Sequence, residues 1–186
     1  MPFGSLWLQV VIAAVAVFVL SFLAHMVLKH HRADHRLIPD EGGVAAALRK
    51  AGGAPGTYMI PHCDDHGQFK DPAFRKRFED GPVAIVTILR NGPPNMAKHL
   101  GLWFGFCLFV SFTAAYVARH TLAPGAEGMR VMQITGAVAF AAYGLGYVQD
   151  AIWHGMPWPS SFRGMADALA YALATGAVFC WMWPAA

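Results

Sequence analysis

Charged side chains are scarce in this sequence. Asp, Glu, Lys and Arg together make up 13% of its 186 residues, whereas a typical soluble domain carries about 25%. Such a deficit excludes an ordinary soluble domain and is typical of a membrane protein, because one charge in hydrocarbon costs at least about 2.5 kcal/mol. The net charge of +3 is better explained by contact with anionic lipid than with nucleic acid, which we do not expect as a partner.

Familiar catalytic motifs are also missing. The sequence contains no GxGxxG after a strand, no P-loop, no GxSxG and no HExxH, which removes the usual evidence for the enzyme classes that carry them. The three cysteines, Cys63, Cys107 and Cys180, are odd in number and predict no disulfide framework. We therefore name no catalytic residue, and the sequence favours a protein that is not an enzyme.

What the sequence does contain is four long apolar runs. They cover residues 6–28, 100–118, 131–148 and 166–183. About 20 helical residues cross a hydrocarbon core about 30 Å thick, so each run predicts a transmembrane helix. The first run is longer than the apolar core of a signal peptide and has no Lys or Arg before it, which indicates an uncleaved anchor.

Positive charge is concentrated on one side of these runs. Twelve of the 14 Lys and Arg residues follow the first or third run, and two lie on the opposite side. The positive-inside rule then places both termini outside and the long connection in the cytoplasm. We predict an all-α membrane fold with helix 1 in residues 1–28, a small cytoplasmic α+β insertion at 29–99, and helices 2–4 of a four-helix bundle in 100–186.

The insertion carries local folding signals of its own. Helices are predicted at 40–51 and 72–80, each with an Asp as its N-cap. Strands are predicted at 57–61 and at 83–89, where VAIVTIL is rich in β-branched residues and typical of a buried strand. We expect the two strands to pair.

The predicted spans have few polar features. No Lys, Arg, Asp or Glu lies near the middle of a span, which disfavours an ion-coupled transporter. Small residues recur in the third span and repeat every four positions in the fourth, which predicts close packing of these helices or, alternatively, a homo-oligomer interface. Asp167 opens the fourth span, where the helix dipole favours a carboxylate. Asp150 closes the third, where the dipole opposes it, and we expect it to pair with His154, Arg163 or a metal.

Histidines are the main chemical signal. Eight of the nine fall at or near the predicted cytoplasmic face, and imidazole, thiolate and carboxylate are the ligands of zinc, iron and copper sites. The predicted ligands of a divalent metal are His62, Cys63, His66, His30, His31 and His35. In each set two histidines lie four residues apart, a spacing at which they share one face of a helix.

Other interpretations of the histidines remain. Further candidates are His25, His99, Asp150 and His154, and a haem with His25 facing His99 or His154 is one alternative. The strings HHRADH and HCDDH loosely resemble the histidine boxes of membrane di-iron oxidases, although no HxxHH string follows. Histidines can also serve simply as polar residues at the membrane interface.

Three strings carry a broader resemblance. NGPPNMAKHL, DAIWHGMPW and DALAYALATGAVFCWMWP resemble a group of small bacterial inner-membrane proteins to which no activity is assigned. The resemblance implies a bacterial inner membrane and nothing about chemistry. We predict a non-enzymatic accessory, assembly or scaffold protein with a membrane-protein partner or a second copy of itself. A metal- or haem-binding, redox-active protein is the alternative, and a small-solute transporter or channel is the third.

Overall fold

The computed structural model describes residues 3–28 and 30–186, and it divides into two compact units. The first unit runs to Arg36 and resumes at Asn95, and the second covers Leu37–Pro94. The second unit is therefore shorter than the predicted insertion 29–99. The difference arises because the residues directly after the first span pack on the last helix of the first unit.

The first unit contains four helices that are long and apolar enough to cross a membrane. These helices cover Trp7–Val27, Met96–Thr121, Gly128–Trp153 and Trp158–Met182. The predicted number of spans is confirmed as four helices of sufficient length and apolar composition. They suggest a multi-pass membrane protein.

The first two spans have well-defined ends. A short 3-10 helix at Phe3–Ser5 precedes α1 (Trp7–Phe22), which continues as a π-helical turn at Leu23–Val27. A second 3-10 helix follows at His30–Asp34. Helix α4, Met96–Thr121, begins where the Asn95 side chain accepts a hydrogen bond from the Lys98 N–H at 3.0 Å, which is a typical N-cap.

The remaining helices of the first unit differ from the prediction in one important respect. The third span consists of α5 (Gly128–Gly144) and α6 (Gly146–Trp153), and the fourth is α7 (Trp158–Met182). Helix α7 begins before the apolar run because a proline is tolerated in its first turn and the N–H groups of the polar residues after it form helical hydrogen bonds. The prediction that Asp167 opens this helix is therefore wrong, since Asp167 lies in its interior.

Small side chains bring the helices of the first unit together. Helix α1 packs against α4 and α7, and α5 packs against the same two helices. A Cβ atom on Gly176 of α7 would lie 2.9 Å from the carbonyl oxygen of Met132 on α5. On Gly136 it would lie 3.4 Å from the Ala172 carbonyl oxygen. The small residues of the third and fourth spans thus pack against each other within the chain.

The second unit contains two α-helices, one 3-10 helix and a two-stranded sheet. Its elements are α2 (Glu41–Lys50), β1 (Gly56–Ile60), a 3-10 helix (His66–Lys70), α3 (Pro72–Asp80) and β2 (Ala84–Ile88). Asp40 and Asp71 accept N-cap hydrogen bonds, as predicted. The strands pair, as predicted, and the pairing is antiparallel. The strand predicted at 83–89 is confirmed as β2, but its predicted burial is wrong, because β2 has one partner strand among the described residues and alternates between half-buried and exposed positions.

The close approach of α5 and α7 makes a testable prediction. We expect Gly176→Ala to lower the free energy of unfolding by about 1–3 kcal/mol, because the new methyl group meets a backbone oxygen that cannot rotate away. Gly105→Ala on α4 is the matched control, since no atom lies within 4 Å of the added Cβ. Thermal unfolding of the detergent-purified variants measures the difference, and equal melting temperatures would contradict the packing.

Candidate metal centre

One group of metal-ligating side chains converges in the described part of the chain. Ligand atoms of His25, His31 and Asp167 all lie within 4.8 Å of one another. His25 belongs to the π-helical turn at the end of the first span, His31 to the following 3-10 helix and Asp167 to α7. They meet because the chain folds back after the first span and the 3-10 helix packs against α7.

The π-helical turn orients His25. In this turn the Leu28 N–H donates to the Leu23 carbonyl oxygen at 3.0 Å, five residues back, and such turns are frequent at functional sites. The Nδ1 atom of His25 lies 3.0 Å from the carbonyl oxygen of Ser21. A carbonyl only accepts, so Nδ1 carries the proton and Nε2 keeps the lone pair that binds a metal. The exposed ring stacks on that of His31, with centroids 4.5 Å apart.

His31 lies between two carboxylates. Its Nδ1 donates to Asp34 at 2.6 Å and its Nε2 donates to Asp167 at 2.7 Å. Because a carboxylate only accepts, both nitrogens carry protons when no metal is bound. Burial opposes this protonation, but the hydrogen bonds to Asp167 and Asp34 and the charges of both outweigh it, so the pKa of His31 is raised above its ordinary 6.5. The imidazolium thus supplies positive charge between two anions.

Asp34 is held as a permanent carboxylate. Arg163 on α7 donates to one Asp34 oxygen from Nε at 3.0 Å and also from its terminal nitrogen. Burial favours the neutral acid, but the hydrogen bonds from Arg163, His31 and Ser160 outweigh it and hold the pKa of Asp34 well below its usual range. A carboxylate fixed on one nitrogen of an imidazole is the usual outer partner of a metal-binding histidine.

Asp167 is also held at both oxygens. His30 Nε2 donates to Oδ1 at 2.9 Å, while His31 occupies Oδ2. The Asp167 side chain is only 12% exposed. Within residues 3–28 and 30–186, its ion-pair partners are these two histidines and include no Lys or Arg. Its negative charge is therefore balanced by imidazolium or by a bound cation.

The charge balance of the cluster requires one further positive charge, which the His31 imidazolium or a bound cation supplies. Asp34 and Asp167 contribute two negative charges, and Arg163 contributes one positive charge. With neutral imidazoles one negative charge stays uncompensated in a largely buried position, which is costly. A metal that displaces the Nε2 proton of His31 gains two nitrogens and one carboxylate oxygen as ligands and leaves positions open.

Some of the sequence-predicted ligands belong to this cluster and others do not. His31 is one of the three converging ligands, as is the further candidate His25, whereas His30 is not among them and donates to Asp167 instead. The predicted sharing of one helix face by His31 and His35 is wrong, because the 3-10 helix ends at Asp34 and has about three residues per turn. His35 lies just beyond it, exposed.

The other predicted set lies in the second unit. His62 follows β1 and His66 begins a 3-10 helix, so the two do not share one helix. His62 Nε2 donates to Asp64 at 2.9 Å, and the Cys63 thiol donates to the Asp65 carbonyl oxygen at 3.3 Å. Over the residues described, this set does not bring three ligand atoms within 4.8 Å of one another. Metal binding by His62, Cys63 and His66 stays a prediction.

The remaining candidates lie at exposed positions. His99 is in the first turn of α4. His154 Nδ1 donates to Asp150 at 2.8 Å, and the two side chains are 58% and 48% exposed. The expected pairing of Asp150 with His154 is confirmed, and it is a surface pair.

The sequence reasoning missed two acids of the cluster. Asp34 follows His31 by three residues in the string HHRAD, a spacing that the search for histidine pairs does not cover. The helix-dipole argument predicts a structural role for Asp167 at a helix start. Its signal was that it is the one carboxylate in a 25-residue helix.

Models of known families, curated proteins and solved structures were all compared with this chain, and none matches. The function is therefore inferred from the geometry of the site.

Proposed function

We propose that this chain is a multi-pass protein of the bacterial inner membrane that binds one divalent transition metal through His25, His31 and Asp167. The distribution of Lys and Arg favours periplasmic termini and a site at the cytoplasmic ends of the helices. The convergence of three ligand atoms within 4.8 Å is the observation that carries the proposal.

Outer partners of the ligands support metal binding. His25 Nδ1 donates to the Ser21 carbonyl, and His31 Nδ1 donates to Asp34, so each ring has an oriented Nε2. Partners of this kind fix the ring and raise its basicity toward a metal. A purely structural ion-pair network would explain His31 but not His25, whose Nε2 makes no hydrogen bond within the described residues.

The ligand set restricts the metal. Two imidazole nitrogens and one carboxylate suit Zn²⁺ or Fe²⁺, whereas Mg²⁺ and Ca²⁺ prefer oxygen ligands throughout. Structural zinc sites use four protein ligands, while sites that act on a further molecule keep a position open. Three protein ligands and the exposed side of His25 therefore favour a site that admits another ligand.

The alternatives from the sequence have less support. A haem between His25 and His99 or His154 gains none, because the His25 ring stacks directly on that of His31. A non-enzymatic accessory or scaffold protein, in which the cluster only fastens the 3-10 helix to α7, is what remains if no metal binds.

Metal binding is tested by titration of the detergent-purified protein. We expect one Co²⁺ or Zn²⁺ per chain, followed by visible absorption of Co²⁺ and by elemental analysis. Asp167→Asn and His25→Gln are expected to lower the Co²⁺ affinity by more than about 100-fold, since loss of even an outer partner costs 10–100-fold. His25 takes no part in the ion pairs, so its variant leaves the network intact.

Asp150→Asn is the matched control for the titration. It removes a carboxylate from the exposed Asp150–His154 pair and should leave the Co²⁺ affinity unchanged. Wild-type protein without saturable metal binding would overturn the proposal. The site would be assigned to the second unit if Asp167→Asn kept its metal and the combined variant His62→Gln, Cys63→Ser, His66→Gln lost it.

The metal affinity should also depend on pH. Metal and proton compete for Nε2 of His31, so we expect the Zn²⁺ affinity to rise with pH, and to keep rising above 6.5 because the pKa of His31 is raised. Without metal, the imidazolium stabilises the fold below its unfolded pKa, and this stabilisation is lost as pH rises through the folded pKa.

Melting temperatures with and without Zn²⁺, between about pH 6 and about pH 8, measure both effects. The charged or titratable groups around His31 are His25, His30, Asp34, Asp167 and, through Asp34, Arg163. His154→Gln is the control, and a pH-independent Zn²⁺ affinity would contradict the assignment of His31 as a ligand.

A further inference from the structure

A cavity of about 400 Å³ lies beside the metal centre, within the first unit. This volume falls in the range of small-molecule sites, which is about 300–1,000 Å³. His25 lines the cavity and also belongs to the metal-ligating group. An occupant of the cavity would therefore contact one of the metal ligands.

The walls of the cavity are unusually aromatic. Five of the ten lining residues are Phe18, Phe22, Trp103, Tyr147 and Tyr171. Aromatic rings pack favourably against another planar ring, edge to face or offset. Two methionines also line the cavity, and thioether sulfurs make favourable contacts with rings. A saturated lipid chain needs neither feature, so the walls favour a planar ring.

One wall of the cavity is held rigidly. The Trp103 indole donates to the Ser21 hydroxyl at 2.8 Å, and that hydroxyl donates to the Phe18 carbonyl oxygen at 2.8 Å. The Ser21 hydroxyl thus already donates one hydrogen bond and accepts another, so it has no proton left to donate to an occupant. The bonded indole keeps its orientation whether the cavity is filled or empty, and such preorganisation favours binding.

The polar groups that remain for an occupant include one buried donor. Tyr171 lines the cavity, is 5% exposed, and its buried hydroxyl has no hydrogen-bond partner among the residues described. A buried donor without a partner costs about 1–3 kcal/mol, so an acceptor on the occupant would stabilise it. His25 donates through Nδ1 to the Ser21 carbonyl oxygen, so its Nε2 is an acceptor and the donor for an occupant is Tyr171. The occupant should therefore carry an oxygen acceptor on an otherwise apolar ring.

Two of the residues that line the cavity are exposed on the outer surface of apolar helices. Phe22 and Leu100, which line it, are 54% and 45% exposed and lie in or next to the first and second spans. In a membrane these side chains meet lipid, so the occupant reaches the cavity from the bilayer and must be soluble there.

We propose that this cavity binds a quinone-type molecule, a planar ring with carbonyl oxygens that dissolves in the membrane. The ring lies between the aromatic walls, with one oxygen that accepts a hydrogen bond from the Tyr171 hydroxyl. The position of this ring next to a bound metal rests on the proposed function. The binding of the ring itself does not depend on that function.

The probe is a benzoquinone with a decyl chain, titrated into the full-length protein in detergent and followed by calorimetry. We expect saturable binding of one quinone per chain. Decylcyclohexane, which has the same chain but a saturated ring without oxygen, is the control ligand and should not saturate. Equal binding of both compounds would show a lipid cleft without ring recognition and would overturn the proposal, as would partitioning without saturation.

Variants locate the bound ring. Leu100→Trp narrows the cavity and should weaken quinone binding at least tenfold without changing the Co²⁺ affinity. Leu169→Trp is the matched control, since Leu169 is 52% exposed and lines a separate cavity of about 280 Å³. Tyr171→Phe should weaken quinone binding about tenfold through loss of one hydrogen bond. An unchanged affinity in Leu100→Trp or Tyr171→Phe would overturn the assigned position of the ring.

Failure of this inference is distinguishable from failure of the metal proposal. Asp167→Asn should lose Co²⁺ and still bind the quinone. Wild-type protein that binds the quinone but no metal would refute the proposed function alone, and protein that binds metal but no quinone would refute the cavity's occupant alone.

Discussion

The structure of this site depends on one constraint, a largely buried carboxylate in the interior of α7. Asp167 is 12% exposed, and a carboxylate in such a place must be paired or bound to a cation. The chain folds back after the first span, so that His30 and His31 donate to the two oxygens of Asp167 and pair its charge. Asp34 accepts from His31 on the side away from Asp167, and Arg163 donates to Asp34.

Departures from regular α-helix place these groups. The π-helical turn ends the first span and presents His25 with its Nδ1 on a backbone carbonyl. The 3-10 helix that follows is only five residues long, and it puts the rings of His30 and His31 within 4.3 Å of each other, centroid to centroid. A continuous α-helix would carry these residues past α7, because successive residues point about 100° apart around the axis.

The side chains that pack between α5 and α7 differ in size from those near the metal centre. Between α5 and α7, glycine and alanine let backbones approach until a single methyl group is too large. Near the metal centre, large rings take their place: Trp103 packs on Tyr143 and Tyr171 with centroids 6.0 and 6.4 Å apart. The Trp103 ring is fixed by its hydrogen bond to Ser21 and cannot move into the neighbouring space, which explains how a cavity persists beside the site.

Composition and local sequence determined much of this protein by themselves. Charge scarcity and run lengths predicted four apolar helices, and the caps at Asp40 and Asp71 predicted the helices of the second unit, because these signals act within one element. The site was decided only by tertiary structure. Spacing along the chain reveals neighbours on one helix, so it favoured His31 with His35 and His62 with His66. His31 and Asp167 are 136 residues apart and meet because the chain folds back. The start of α7 was misplaced for a related reason, since hydropathy reports which residues suit hydrocarbon and not where helical hydrogen bonds begin.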